Sequence, residues 1–171
     1  MPSSVALLEA NTGHLPNVHR YPLALADETE ARTIFVSTDP NGSHGSSSLL
    51  PAKVHLEEYP EVRFDEQIDV EAVTLGDWVK TSRIDHIDLL WMDLQGMELA
   101  VLQAFPEVLA QTRVIATEVS RKELYEGSAL YPEVVSWLKD KGFEAVIDRV
   151  LVSFGNMLFV RRALLGDRQR F

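Results

Sequence analysis

The sequence predicts an α/β layered domain with a largely parallel sheet and an antiparallel edge. Three observations carry this reading. From residue 70 onward, strand and helix patterns alternate as strand, helix, strand, helix, strand, strand. Residues 87–93, IDLLWMD, form a nearly continuous apolar run that ends on an acid, as in a strand covered on both faces. Residues 143–150 and 156–160 close the chain as two strands with the character of an antiparallel pair. The 171 residues suffice for one domain, 1–171, with a sizeable core, and neither a repeat nor a linker divides them.

The elements follow in order. Residues 5–9 (VALLE) are a short apolar run ending in an acid, which suits a buried strand. Residues 18–26 are a second strand candidate, although Pro22 counts against a central, fully paired position. Residues 31–37 (ARTIFVS) make a third, rich in β-branched and aromatic side chains. Residues 38–48 (TDPNGSHGSSS) hold turn residues and no apolar ones, which reads as a solvent-exposed connection or a mobile lid. Residues 70–74 are a short strand. A helix over 75–82 follows, with Thr74 as N-cap and Asp77 three residues on, a pair like a capping box. After the strand at 87–93 comes a helix over about 97–109, with Leu99, Leu102 and Phe105 marking its apolar stripe and a bend at Pro106. Residues 114–119 form another buried strand. Residues 131–141 form a helix with Pro132 in its first turn and Gly142 as its C-cap.

Composition excludes several function classes. A formal net charge of -10 argues against nucleic acid as a partner, since that requires a basic face, and disfavours an anionic membrane surface. With no cysteine, disulfides, thiolate catalysis and cysteine-zinc sites are ruled out, and the chain fits a reducing compartment. No apolar run approaches the roughly 18 residues of a membrane span, and the first residues lack the pattern of a secretory signal. The expected location is the cytoplasm. The histidines at 14, 19, 44, 55 and 86 show no metal-ligand spacing, so no metal is expected. Ser46 to Ser48 sit in no nucleophile elbow, which leaves a serine hydrolase unsupported.

The most informative stretch is 87–102, IDLLWMDLQGMELAVL. It places Asp93, Gln95 and Glu98 around the carboxyl end of a strand, where open α/β sheets bind ligands. The run IDLLWMDLQGMELAVLQAF resembles the signature of the FkbM-type methyltransferases, class I enzymes that use S-adenosylmethionine, usually for O-methylation. TLGDWV, GSSSLL, VIATEVS and GNMLFVRR resemble further family segments in the right order, so the similarity spans roughly residues 18–162. Two positions depart from the family motif, which has Lys two residues before the Asp and Glu two residues after it; here these are Trp91 and Gln95.

The resemblance implies a Rossmann-like class I methyltransferase sheet. The opening strand and glycine-rich turn that hold the methionine moiety of the cofactor have no counterpart in this sequence, so the chain reads as an N-terminally shortened member. A strand missing beside the signature strand leaves a gap to close or two edges exposed. VALLEAN resembles the family's second strand, which would give Glu9 the cofactor ribose, and Asp27 in ALAD matches the end of the third strand near the adenine.

Each candidate has two readings. Asp93 is the candidate catalytic base for an acceptor hydroxyl, or an acid that binds the amides opening the next helix. Gln95 and Gly96 are candidates for cofactor contact, or simply complete the turn, with Gly96 permitting positive φ or close backbone approach. Glu98 faces substrate or answers the helix dipole. Glu118 ends a buried strand, so its charge requires a wet cleft or a structural pair with an arginine. His44 reaches a site if its loop is a lid and is otherwise solvated. Trp91 reads as core more than as a stacking platform.

Two functions follow. One is S-adenosylmethionine-dependent methyl transfer to a hydroxyl of a small molecule or glycan, with acceptor specificity in residues 38–48 and 51–69. The other is a non-enzymatic remnant that serves as a binding or oligomerisation module, paired as a homodimer through exposed edges. A different nucleotide-binding module is disfavoured because no glycine-rich phosphate loop exists.

Overall fold

A computed structural model describes residues 2–150 and 153–166. The reading of 1–171 as one domain therefore extends past the described residues at 1, 151–152 and 167–171. The element order is α1 (Pro2–Thr12), β1 (Ala24–Ala26), β2 (Ala31–Thr38), α2 (His55–Glu58), β3 (Arg63–Thr74), α3 (Leu75–Ser82), β4 (Ile87–Met92), α4 (Glu98–Ala104), a 3-10 segment (Pro106–Gln111), β5 (Thr112–Ser120), α5 (Tyr131–Asp140), β6 (Phe143–Val150) and β7 (Phe154–Arg161). A short 3-10 turn, Arg162–Leu164, follows β7.

The strands form two mixed sheets, ordered β1-β3-β2 and β4-β5-β7-β6. Only β1 with β3 and β4 with β5 run parallel. The pairs β2–β3, β5–β7 and β6–β7 are antiparallel. The expectation of a largely parallel sheet is therefore corrected: the fold is mixed α/β, with the expected antiparallel pairing at its C-terminal end. The physical reason lies in the connections. A parallel pair needs a crossover, and among the sheet neighbours β4 and β5 have one built from α4 and the 3-10 segment. One buried cluster serves both sheets, joining Ala26, Ala72, Leu75 and Val79 to Leu90, Met92, Leu102, Ile115, Leu138, Phe143 and Phe159.

Local signals explain several elements directly. The Thr74 hydroxyl accepts the Asp77 amide at 3.0 Å and opens α3. Glu133 accepts the Leu130 amide at 2.7 Å at the start of α5, and Gly142 ends that helix with φ +86°.

Other expectations give way. Residues 5–9 are not a strand; they lie within α1, where Leu7 is 63% exposed and no side chain joins the buried cluster. Short apolar runs suit either structure, and here no sheet neighbour captures the run. Of residues 18–26, only Ala24–Ala26 pair, after Pro22. The strand expected at 70–74 extends over Arg63–Thr74 because β2 pairs along its length. The helix expected over 97–109 breaks at Phe105, where Pro106 starts the 3-10 segment. The Phe105 ring packs on Gly76 so closely that no Cβ would fit there.

The signature strand β4 is covered on one face only. Leu90 and Met92 are buried, whereas Leu89 is 50% and Trp91 71% exposed, so Trp91 is not core. Among the described residues β4 pairs with β5 alone and forms an edge of its sheet, as β1 does in the other. No helix among the described residues is long and apolar enough to cross a membrane.

Candidate active site

The site starts from register. β4 and β5 are parallel, with Met92 beside Thr117, so the next residues, Asp93 and Glu118, leave adjacent strands side by side. Two like charges at neighbouring strand ends repel unless something lies between them. Gln95 fills this place. Its Nε2 donates to Asp93 Oδ1 and, at 3.3 Å, to Glu118 Oε2. The amide oxygen on its other side accepts the Tyr125 hydroxyl at 2.7 Å.

The turn that carries Gln95 is held from both sides. Gln95 has φ +51° and Gly96 φ +103°, the left-handed region that glycine tolerates and other residues resist. A Cβ on Gly96 would lie 2.9 Å from Ser128 Cβ, so both conformation and space call for glycine. Glu98 reaches back so that Oε1 accepts the Leu94 amide at 2.7 Å and Oε2 the Gly96 amide at 3.1 Å. Glu98, rather than Asp93, therefore binds the amides that open the helix. Ser48 Oγ donates to the Gln95 carbonyl at 2.7 Å, and the Tyr125 hydroxyl also lies 2.9 Å from the Ser46 carbonyl. These contacts tether the serine end of the 38–48 loop to the turn. His44 Nδ1 of the same loop meets the Ser37 carbonyl of β2 at 2.6 Å.

Electrostatics follow from this crowding. Burial, then the charges of Asp93 and Glu98, raise the Glu118 carboxyl to about 7, against the opposing Gln95 hydrogen bond. Burial raises Glu98 as well, opposed by the amides it accepts. Burial also raises the Tyr125 hydroxyl well above its ordinary range. Glu118 faces two spaces. One is a small, partly open space of about 20 Å³ shared with Glu98 and Ser128, large enough for a single water. The other is an open cleft of about 230 Å³, lined also by Ser46, His55, Tyr59, Gln95 and Phe154. A carboxyl poised near neutrality, facing both a ligand cleft and a water-sized void, is suited to accept a proton from a bound hydroxyl.

The expected site residues thus divide. Asp93, Gln95, Gly96, Glu98 and Glu118 come together. Glu9 and Asp27 do not join them. Glu9 sits within α1 rather than at a strand end, pairs with Arg20 at 2.6 Å and lines a separate groove with Pro22 and residues 68–71. Asp27 follows β1 and pairs with Arg32 at 3.2 Å. Sequence reading missed Tyr125, His55, Tyr59 and Phe154, which come from three distant segments. A signal existed for His55, which lies in the segment 51–69 expected to influence the acceptor. Among the described residues no group of three or more His, Asp or Glu is arranged to hold a metal ion.

The chain is 38% identical over 130 residues to the 2-O-methyltransferase NoeI of Sinorhizobium fredii (strain NBRC 101917 / NGR234), covering 74% of this chain and 53% of that protein. The chain thus spans about half the length of this relative. No solved structure matches the chain. The family model described as the methyltransferase FkbM domain matches residues 5–145, most of the chain, and the protein belongs to the FkbM methyltransferase family.

Proposed function

We propose that this chain provides the acceptor side of an O-methyltransferase site, with S-adenosylmethionine as donor and a hydroxyl of a small molecule or glycan as acceptor. One observation carries this reading: Glu118, raised to about 7, faces the open cleft beside the signature turn. Glu118 takes the acceptor's hydroxyl proton. Asp93, on the far side of the Gln95 amide, holds that amide's two N–H bonds in place and so orients Glu118. The general-base duty expected of Asp93 thus passes to Glu118, because Glu118 lines the cleft and Asp93 reaches it through Gln95.

The described residues do not fit a complete donor site. Glu9 and Asp27, expected at the ribose and adenine, are each paired with an arginine, and neither lines the cleft that Glu118 faces. The reading therefore concerns acceptor binding and proton removal.

A methyl-transfer assay with labelled S-adenosylmethionine and a panel of hydroxylated acceptors tests it. Glu118→Gln is expected to abolish transfer while keeping the fold. Full activity in Glu118→Gln refutes the assignment, and calorimetry without heat on adding S-adenosylmethionine counts against donor use by this chain. The unpaired edges of β1 and β4 favour a second reading, a module that associates through those edges. A strictly monomeric species in sedimentation at high protein concentration removes that reading.

A further inference from the structure

The cleft has a wall that the proton-transfer reading does not use. His55, at the start of α2, is 3% exposed, and its Nδ1 has no hydrogen-bond partner among the described residues. Its ring touches three others: Tyr59 at 4.9 Å, Phe64 at 5.3 Å and Tyr125 at 5.5 Å between centroids. For packing alone, a phenylalanine would serve better, because an unsatisfied buried polar atom costs about 1–3 kcal/mol. The imidazole thus has hydrogen-bonding capacity that the described residues leave unused, and its ring borders the cleft. Burial lowers its pKa, so it is neutral at pH 7 and able both to donate and to accept.

The rest of the lining defines the complement. Tyr59 and Phe154 stand edge to face 6.3 Å apart, and both border the cleft. Flat aromatic walls favour a ring with an apolar face. Among the described residues no lysine or arginine lines the cleft. The nearby cation, Lys122, is paired with Glu58. Glu118 lines the cleft and feels the charges of Asp93 and Glu98 behind it, and the charge of Glu61 is felt at His55. An anion entering here meets the Glu118 carboxyl and, among the described lining residues, no cation. The volume of about 230 Å³ falls below the roughly 300–1,000 Å³ of pockets for drug-sized ligands, which suits one ring.

Resting on the reading above, we propose that His55, Tyr59 and Phe154 form the acceptor subsite for a single uncharged ring carrying at least two hydroxyls. The ring packs against Tyr59 and Phe154, its face to one and its edge to the other, presents one hydroxyl to Glu118, and hydrogen-bonds a second to His55. His55 is thus a positioning residue that selects which hydroxyl meets Glu118.

The test uses the whole chain and three probes: methyl glucoside, its anionic counterpart methyl glucuronoside, and cyclohexanol, a ring with one hydroxyl. Aromatic ¹³C resonances of His55, Tyr59 and Phe154 are followed by NMR. Methyl glucoside is expected to give saturable shifts at all three, and methyl glucuronoside to bind about tenfold more weakly at neutral pH. His55→Phe is expected to weaken methyl glucoside about fivefold, the loss of one hydrogen bond, and to leave cyclohexanol unchanged. Phe154→Ala, at a side chain already 40% exposed, keeps the fold and weakens both neutral rings. Absence of saturable shifts, equal binding of the anion, or an unchanged His55→Phe affinity overturns the proposal. Ring binding with no methyl transfer to any ring leaves this proposal standing and removes the O-methyltransferase reading. Methyl transfer indifferent to His55→Phe does the reverse.

Discussion

Replacing Glu118 by Gln removes the ionisable group and keeps its shape, so it isolates the cost of holding a charge at this position. The carboxyl moves from 4.5 to about 7 on folding. At about 1.4 kcal/mol per tenfold, that displacement is worth about 3 kcal/mol, which partial solvation at the cleft mouth trims to about 2–3 kcal/mol. The sign follows from proton counts. Between the two values the folded chain holds a proton that the unfolded chain has lost, so stability falls as pH rises through this window. Below 4.5 both states are protonated, and above about 7 both are ionised, so the penalty is absent in the first range and complete in the second. Urea unfolding of both proteins across this range is the assay. The variant is expected to match the parent in acid and to exceed it by about 2–3 kcal/mol near pH 8. Parallel stability curves across the whole range would show that the Glu118 carboxyl is unperturbed, and the argument for it as proton acceptor would fall.

Three further outcomes test the frame around this residue. Gly96→Ala forces a side chain into φ +103° against Ser128 and is expected to lower stability by about 1–3 kcal/mol, seen as a drop in Tm. Glu98→Ala leaves the Leu94 and Gly96 amides without their acceptor; the expected loss is about 2–4 kcal/mol, with faster amide exchange at both positions. Trp91→Gln, at a side chain 71% exposed, is expected to change unfolding free energy by less than about 0.5 kcal/mol in the same titration, and a larger loss would mean that the β4 edge is covered in solution.

What could be read ahead of the structure was what is local. Thr74 caps α3 because a hydroxyl and an amide three residues apart meet whenever the helix forms. Gly142 ends α5 for the same kind of reason. The acid at the end of β4 and the turn after it were equally readable, since strand, turn and helix are consecutive. Contacts set by distant partners were not. VALLE satisfies a strand and a helix alike, and the choice fell to what lay beside it. The burial of β4 on one face depends on which elements cover a strand, which periodicity does not report. The cleft was least legible of all, because His55, Glu118 and Phe154 meet only once β5, β7 and the chain after β2 have closed on one another.

The Glu98 clasp has a consequence for the polarity of the turn. The start of a helix ordinarily presents bare N–H groups and attracts phosphate or another anion. Here the Leu94 and Gly96 amides end on a carboxylate of the same chain, which already occupies the place an incoming anion would take. The attractive pole of α4 is thereby cancelled from within, and this end of the sheet turns Gln95 and Glu118 toward the open cleft.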